Sequence, residues 1–151
     1  MKTLARPVDK AEILRRVRLV RPESTRRWGR MSAHQMVCHL SDSLRMASGY
    51  KAVRPTTSLL PRTVVKWIAL YLPLPWPAGI PTSREIDQEL GGTRPVAFES
   101  DVAELVALLD FIGAPNSSFE RLHPVFGTMS YAAWLRWGYL HMDHHLRQFG
   151  V

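Results

Sequence analysis

Six histidines and one cysteine are the side chains with most chemistry to offer in this 151-residue chain. Two of the histidines, His141 and His145, stand four residues apart in SYAAWLRWGYLHMDHHLRQFGV, residues 130–151. Four residues is about one helical turn, so on a helix both rings project from the same side. A buried imidazole needs a partner for each ring nitrogen. Two imidazoles stacked on an apolar face also oppose each other's protonation. A divalent cation resolves both problems, because it takes a lone pair from each neutral ring. The pair is thus either two ligands of one ion or two satisfied core histidines. A third ligand from elsewhere decides between these readings.

The element that carries the pair is an amphipathic helix capped by Ser130. On a wheel of about 100° per residue, with Trp134 at the origin, His145 falls near 20° and His141 near −20°, within the apolar sector. His144 falls near −80°, on a flank beside Trp137, and Asp143 near 180°, where it should meet water. A second helix, expected over residues 32–49 with Ser32 as N-cap and Gly49 as stop, offers the missing ligand. There His39 shares its sector with Met36, Met46 and Ala47, whereas His34 lies about 140° away. Three neutral histidines, His39, His141 and His145, with a fourth position open make a catalytic rather than a structural type of site. Gln35 and Ser43 lie one turn either side of His39, and Gln148 follows His144 by one turn. Each could orient a ring or a bound water, or be plain polar lining. Cys38 adjoins His39, but neighbours on a helix point about 100° apart, so a Cys–His nucleophile is not expected. His123 lies in a linker, where it could cap a helix or line a pocket, and nothing in the sequence ties it to the metal.

The remaining elements must hold these two helices together. Residues 8–20 read as a first helix, with Pro7 at its start and Pro22 beyond its end. Leu59 to Leu72 reads as a short extra helix. Residues 73–98 begin with the proline-rich PLPWPAGIPTS and read as a loop that covers a pocket or runs over the surface. Residues 100–112 read as a further amphipathic helix, with Ser100 as N-cap and Gly113 and Pro115 as terminators. No segment keeps a strand-like alternation, and no repeat is present. The expectation is an all-α, single-domain chain over 1–151: an antiparallel four-helix bundle with long connections and one short extra helix.

Composition excludes several classes. The lone cysteine rules out an internal disulfide and a cysteine-rich zinc site, and fits a reducing compartment. The most apolar run, Val64 to Ile80, contains Lys66 and three prolines and does not suit a bilayer span. A soluble, cytoplasmic protein with no membrane partner is expected. The first 30 residues hold ten Lys and Arg against three acids, so they carry the whole net charge of +7. Without aromatic interleaving or zinc-finger spacing this reads as a solvated face, and no nucleic-acid partner is expected. No phosphate-binding glycine loop, Gly-x-Ser-x-Gly turn or carboxylate pair is present.

At these histidines the sequence resembles the DinB/YfiT-like superfamily of four-helix-bundle proteins. The matching segments are HQMVCHLSDSL, with His39, and HMDHHLRQF, with His141 and His145. HPVFG at 123–127, followed by HMDHHLRQFG, resembles a narrower branch of that superfamily. The resemblance runs from about Trp28 to Gly150 and is weakest in its middle third. It implies a mononuclear divalent-metal site, Zn²⁺ or Ni²⁺ foremost. It also implies a small-molecule enzyme such as a low-molecular-weight-thiol S-transferase, or alternatively a metal-dependent hydrolase. A non-catalytic metal-binding or dimerising stress-response protein is a further alternative. A homodimer is expected, with a small molecule or thiol as partner.

Overall fold

A computed structural model describes residues 1–55, 62–113 and 121–151. Five helices dominate them: α1 (Pro7–Val17), α2 (Ala33–Ser48), α3 (Arg62–Tyr71), α4 (Phe98–Ile112) and α5 (Tyr131–Gln148). A 3-10 turn, Arg84–Ile86, interrupts the linker between α3 and α4. Two strands, β1 (Arg121–His123) and β2 (Gly127–Met129), pair antiparallel.

The helices begin and end for local reasons. Pro7 opens α1, where its missing N–H costs no hydrogen bond. The Ser32 side chain accepts from the Gln35 N–H at the start of α2, and the Gln35 side chain accepts from the Ser32 N–H, which forms a reciprocal cap. Gly49 ends α2 with a φ of 83°, a left-handed conformation that suits glycine. Ser130 caps α5 by accepting from the Ala133 N–H.

One core joins these elements. Leu40 and Leu44 of α2, Leu105 and Leu109 of α4, and Trp134, Met142 and Leu146 of α5 are almost wholly buried in it. Burying one such side chain contributes about 1.5–3 kcal/mol. α2 lies against both α4 and α5, α1 against α5 and α4, and α3 against α5. Arg16 of α1 bridges to α5 by donating to Asp143 Oδ1 at 2.7 Å and to the Val151 carbonyl at 2.9 Å.

The linker after α3 is held by side chains. Asp42 of α2, fully buried, accepts from the Thr93 N–H at 2.8 Å, the Thr93 hydroxyl at 2.7 Å and Gln88 Nε2 at 3.2 Å. Lys51 and Arg45 complete its surroundings, each at 2.9 Å. Burial opposes its ionisation, but the bonds from Lys51 and Thr93 outweigh burial and hold its carboxyl below the usual range.

Several expectations change. The chain is mostly helical rather than all-α, because residues 121–129 form a two-stranded hairpin. Three-residue strands are too short to show a period of two in sequence. α4 begins at Phe98 with Ala97 at the N-cap position, so Ser100 lies inside the helix and does not cap it. α1 stops at Val17 rather than residue 20, and Asp143 is drawn from water by Arg16 and Arg147. Residues 59–61 of the expected extra helix and residues 114–120 of the linker lie outside the described residues. Among the described residues, no helix is long and apolar enough to cross a membrane.

Candidate metal centre

The neighbouring elements α2 and α5 bring His39, His141 and His145 together, and all three are at least nine-tenths buried. His39 Nε2 lies 3.2 Å from His141 Nε2, and His145 Nε2 lies 3.2 Å from the same atom. A tetrahedral ion with metal–nitrogen bonds of about 2.0–2.1 Å holds its ligand nitrogens about 3.3 Å apart. The spacing of the two pairs therefore suits one ion between the rings.

The outer nitrogens set the tautomers. His39 Nδ1 is 2.8 Å from the Ile86 carbonyl, which only accepts, so Nδ1 carries the proton and Nε2 presents a lone pair. His145 Nδ1 is 2.9 Å from Gln148 Oε1. Gln148 is itself oriented, because its Nε2 donates to the Trp28 carbonyl at 2.7 Å. His145 Nδ1 is thus also a donor, and its Nε2 faces His141 as a lone pair. His141 Nε2 can give a proton to one neighbour only. The other nitrogen–nitrogen contact then sets lone pair against lone pair. A cation at the centre removes that conflict and accepts all three lone pairs.

Electrostatics favour the neutral rings that a metal requires. Burial lowers the His39 pKa, against the raising effect of its bond to Ile86. Burial, then the neighbouring His145 and His39, holds His141 well below the ordinary histidine value. Burial and His39 do the same to His145, although Gln148 works the other way. All three are poised to bind a cation without first losing a proton.

The backbone around Gln148 is built for this contact. Gly29 has a φ of 75°, and a Cβ there would lie 2.5 Å from Gln148 Nε2. Glycine lets the Trp28–Gly29 chain approach the amide closely enough to hold it. The Arg27 N–H also donates to the Gln148 carbonyl at 2.7 Å.

Of the polar neighbours read from the sequence, only Gln148 touches a ligand ring, and that ring is His145. Gln35 is engaged in the α2 cap. Ser43 is fully buried, and its hydroxyl donates back to the His39 carbonyl at 2.8 Å rather than reaching the ring. His34 points away as expected and binds Asp101 at 2.6 Å, and Cys38 also lies against that carboxylate, at 3.6 Å. Burial, then Asp101, pushes the Cys38 thiol up to about 12, which makes it a poor nucleophile.

Sequence reasoning missed two contributors, Ile86 and Trp137, and left the role of a third, His123, open. Ile86 supplies the carbonyl that sets His39, and a backbone acceptor leaves no residue-type signal. Trp137 stacks on His141 at 4.7 Å between ring centroids. His123 is buried at the end of β1, where its Nδ1 accepts from the Val125 and Phe126 N–H groups. Its ring stacks on Phe126 at 4.4 Å, and its Nε2 has no hydrogen-bond partner among the described residues. The HPVFG segment, which stood out in the sequence, is thus a hairpin turn closed by its own histidine. His144, placed on a flank by the wheel, is also buried, between Trp28 and Trp76.

The three histidines open onto a cavity of about 1040 Å³. Trp28, Met31, Trp76, Ile80, Phe126 and Trp137 are among its walls. The proline-rich segment contributes a broad part of this lining, and Trp76 pins it to α3 by donating to the Ala69 carbonyl at 2.8 Å.

Fold and site together define a mostly helical protein with a buried three-histidine cluster at the end of a large cavity. The chain belongs to the family described as "Protein of unknown function (DUF1569)", whose model matches residues 6–150. No curated protein and no solved structure matches it.

Proposed function

We propose that this protein is a metal-dependent enzyme acting on a small molecule, with one divalent cation held by His39, His141 and His145. The observation that carries the reading is the convergence of three buried Nε2 atoms, two of them fixed as lone-pair donors by Ile86 and Gln148. Three protein ligands leave a fourth position for a reactant, and the cavity gives access to it. An ion bound there supplies Lewis acidity, which lowers the pKa of a thiol or water. The protein's own part is to keep the rings neutral, aim them and limit water around them.

Low-molecular-weight-thiol S-transfer is the reaction we favour, with metal-dependent hydrolysis as the second. This preference rests on the resemblance of the His39 and His141/His145 segments to DinB/YfiT-like proteins, as does a four-helix-bundle description of the fold. Zn²⁺ and Ni²⁺ are the cations proposed, since imidazole suits both.

Elemental analysis of the purified protein tests the site. About one divalent ion per chain is expected, and His39→Ala should lose it while keeping its helical circular dichroism. A wild type that binds no ion after reloading overturns the proposal. Thiol conjugation and ester hydrolysis assays on the loaded protein then separate the two reactions, and inactivity in both removes the enzyme reading.

A further inference from the structure

The walls of the cavity are far more specific about a ligand than the three histidines are. Their formal charge is confined to two residues, Arg30 and Asp87, and these form an ion pair with each other. Arg30 also lies 3.4 Å from Glu89. Among the described residues, no free cation or anion therefore faces the interior from the lining. The basic N-terminal segment does not fill this gap. Of its ten Lys and Arg, Arg30 alone is among the described residues that line the cavity.

What the walls do offer is apolar surface. Met46 of α2, Val65 and Ile68 of α3, and Ile80 of the proline-rich segment extend the aromatic surfaces of Trp76 and Trp137. Ile68 and Ile80 are about half exposed, at 48% and 53%, so this surface meets water when the cavity holds no ligand. A volume near 1040 Å³ matches the upper end of the range for drug-sized ligands, roughly 300–1,000 Å³. Charged ligands of that size need paired counter-charges when buried, and the lining has none to spare.

Resting on the metal reading for its polar end, we infer that the cavity takes a predominantly apolar small molecule. This molecule has an aliphatic or aromatic body and a single electron-pair-donor head that reaches the three histidines. Thiols with several charges, such as glutathione, do not fit it as cavity ligands. Within an S-transfer reaction, the apolar body belongs to the molecule held by the cavity.

A chain-length series tests this. Straight-chain thiols from ethanethiol to octanethiol would be titrated into the Co²⁺-loaded protein, with the thiolate-to-cobalt absorption band as readout. Transfer of each methylene from water is worth about 0.8 kcal/mol, or about fourfold in affinity. With partial burial, a gain of about two- to fourfold per methylene is expected. Glutathione should bind no better than ethanethiol. Ile80→Glu, at a half-exposed wall position, should weaken octanethiol binding severalfold and leave ethanethiol unchanged. Equal affinity along the series, or glutathione binding more tightly than butanethiol, overturns the inference.

The metal reading can fail separately. Should the protein take up no cobalt, the same series would be followed through the fluorescence of Trp28, Trp76 and Trp137. A chain-length gain there keeps the apolar assignment without the metal, and a flat response removes both.

Discussion

Gln148 offers the sharpest test of how the centre is assembled, because it touches no metal. Its Oε1 accepts from His145 Nδ1 at 2.9 Å, and its Nε2 donates to the Trp28 carbonyl at 2.7 Å. The first bond sets the tautomer that leaves His145 Nε2 free to coordinate. Outer partners of metal-bound histidines are typically worth about 10–100-fold in metal affinity. Gln148→Ala should therefore weaken Zn²⁺ binding by about 10–100-fold, or about 1.4–2.7 kcal/mol. Loss of the bond to Trp28 should cost about 1 kcal/mol of fold stability besides. Competition with a chromophoric chelator measures the first quantity and urea denaturation the second. Gln148→Glu separates them, because a carboxylate still accepts from His145 but cannot donate to the Trp28 carbonyl. It should keep Zn²⁺ affinity close to wild type while losing stability. If Gln148→Ala binds Zn²⁺ as tightly as wild type, the tautomer argument for the centre is wrong.

Three further outcomes follow from other parts of the molecule. Burial holds His123 at about 3, against an ordinary value of 6.5, so acid favours the unfolded chain, which binds the proton more readily. Its stabilising contribution is complete above pH 6.5 and is lost as pH falls toward 3, at up to about 1.4 kcal/mol per pH unit. His123→Phe should flatten the fall in urea-unfolding free energy below pH 6.5 by that amount, and parallel wild-type and variant curves would contradict the assignment. Asp42→Ala leaves Lys51, Arg45 and Thr93 without their shared acceptor and should cost about 3 kcal/mol in denaturant unfolding; a loss under about 1 kcal/mol would mean that Asp42 does not hold the linker. Cys38, with its thiol raised to about 12, should react with Ellman's reagent at pH 8 at least about 100-fold more slowly in the native protein than after unfolding.

The parts of the site that lie on long helices were legible in the sequence. His39, His141 and His145 share inward faces on the wheel and come together in the structure, because a period of 3.6 residues ties sequence position to face direction over several turns. Ser32, Gly49 and Ser130 were legible as caps for an equally local reason. The wheel misled where a partner on another element decided the outcome. Asp143 was assigned to water, but Arg16 from α1 reaches it. For Gln35 and Ser43 spacing leaves open whether they orient a ring or are plain polar lining, and each meets the nearest backbone group instead. His123 was left in a linker because a hairpin of three-residue strands has too short a pattern to read. Residues 73–98 read as a loop that covers a pocket or runs over the surface, but the cavity's other walls come from segments far apart in the chain, which no local pattern ties together.

The segments that line most of the cavity are not the ones that carry the ligands. Leu74 to Ser83 contributes broadly to the lining, while the three histidines stand on α2 and α5. The linker reaches the three histidines through the Ile86 carbonyl, a main-chain atom, and through Trp76, whose ring centroid lies 6.2 Å from that of His141. Diversification can therefore act on the lining and the metal set almost independently. A library randomised at Leu74, Ile80 and Thr82 would leave the hydrogen bonds that set the histidine tautomers untouched, so the lining could be re-engineered without rebuilding the candidate metal centre.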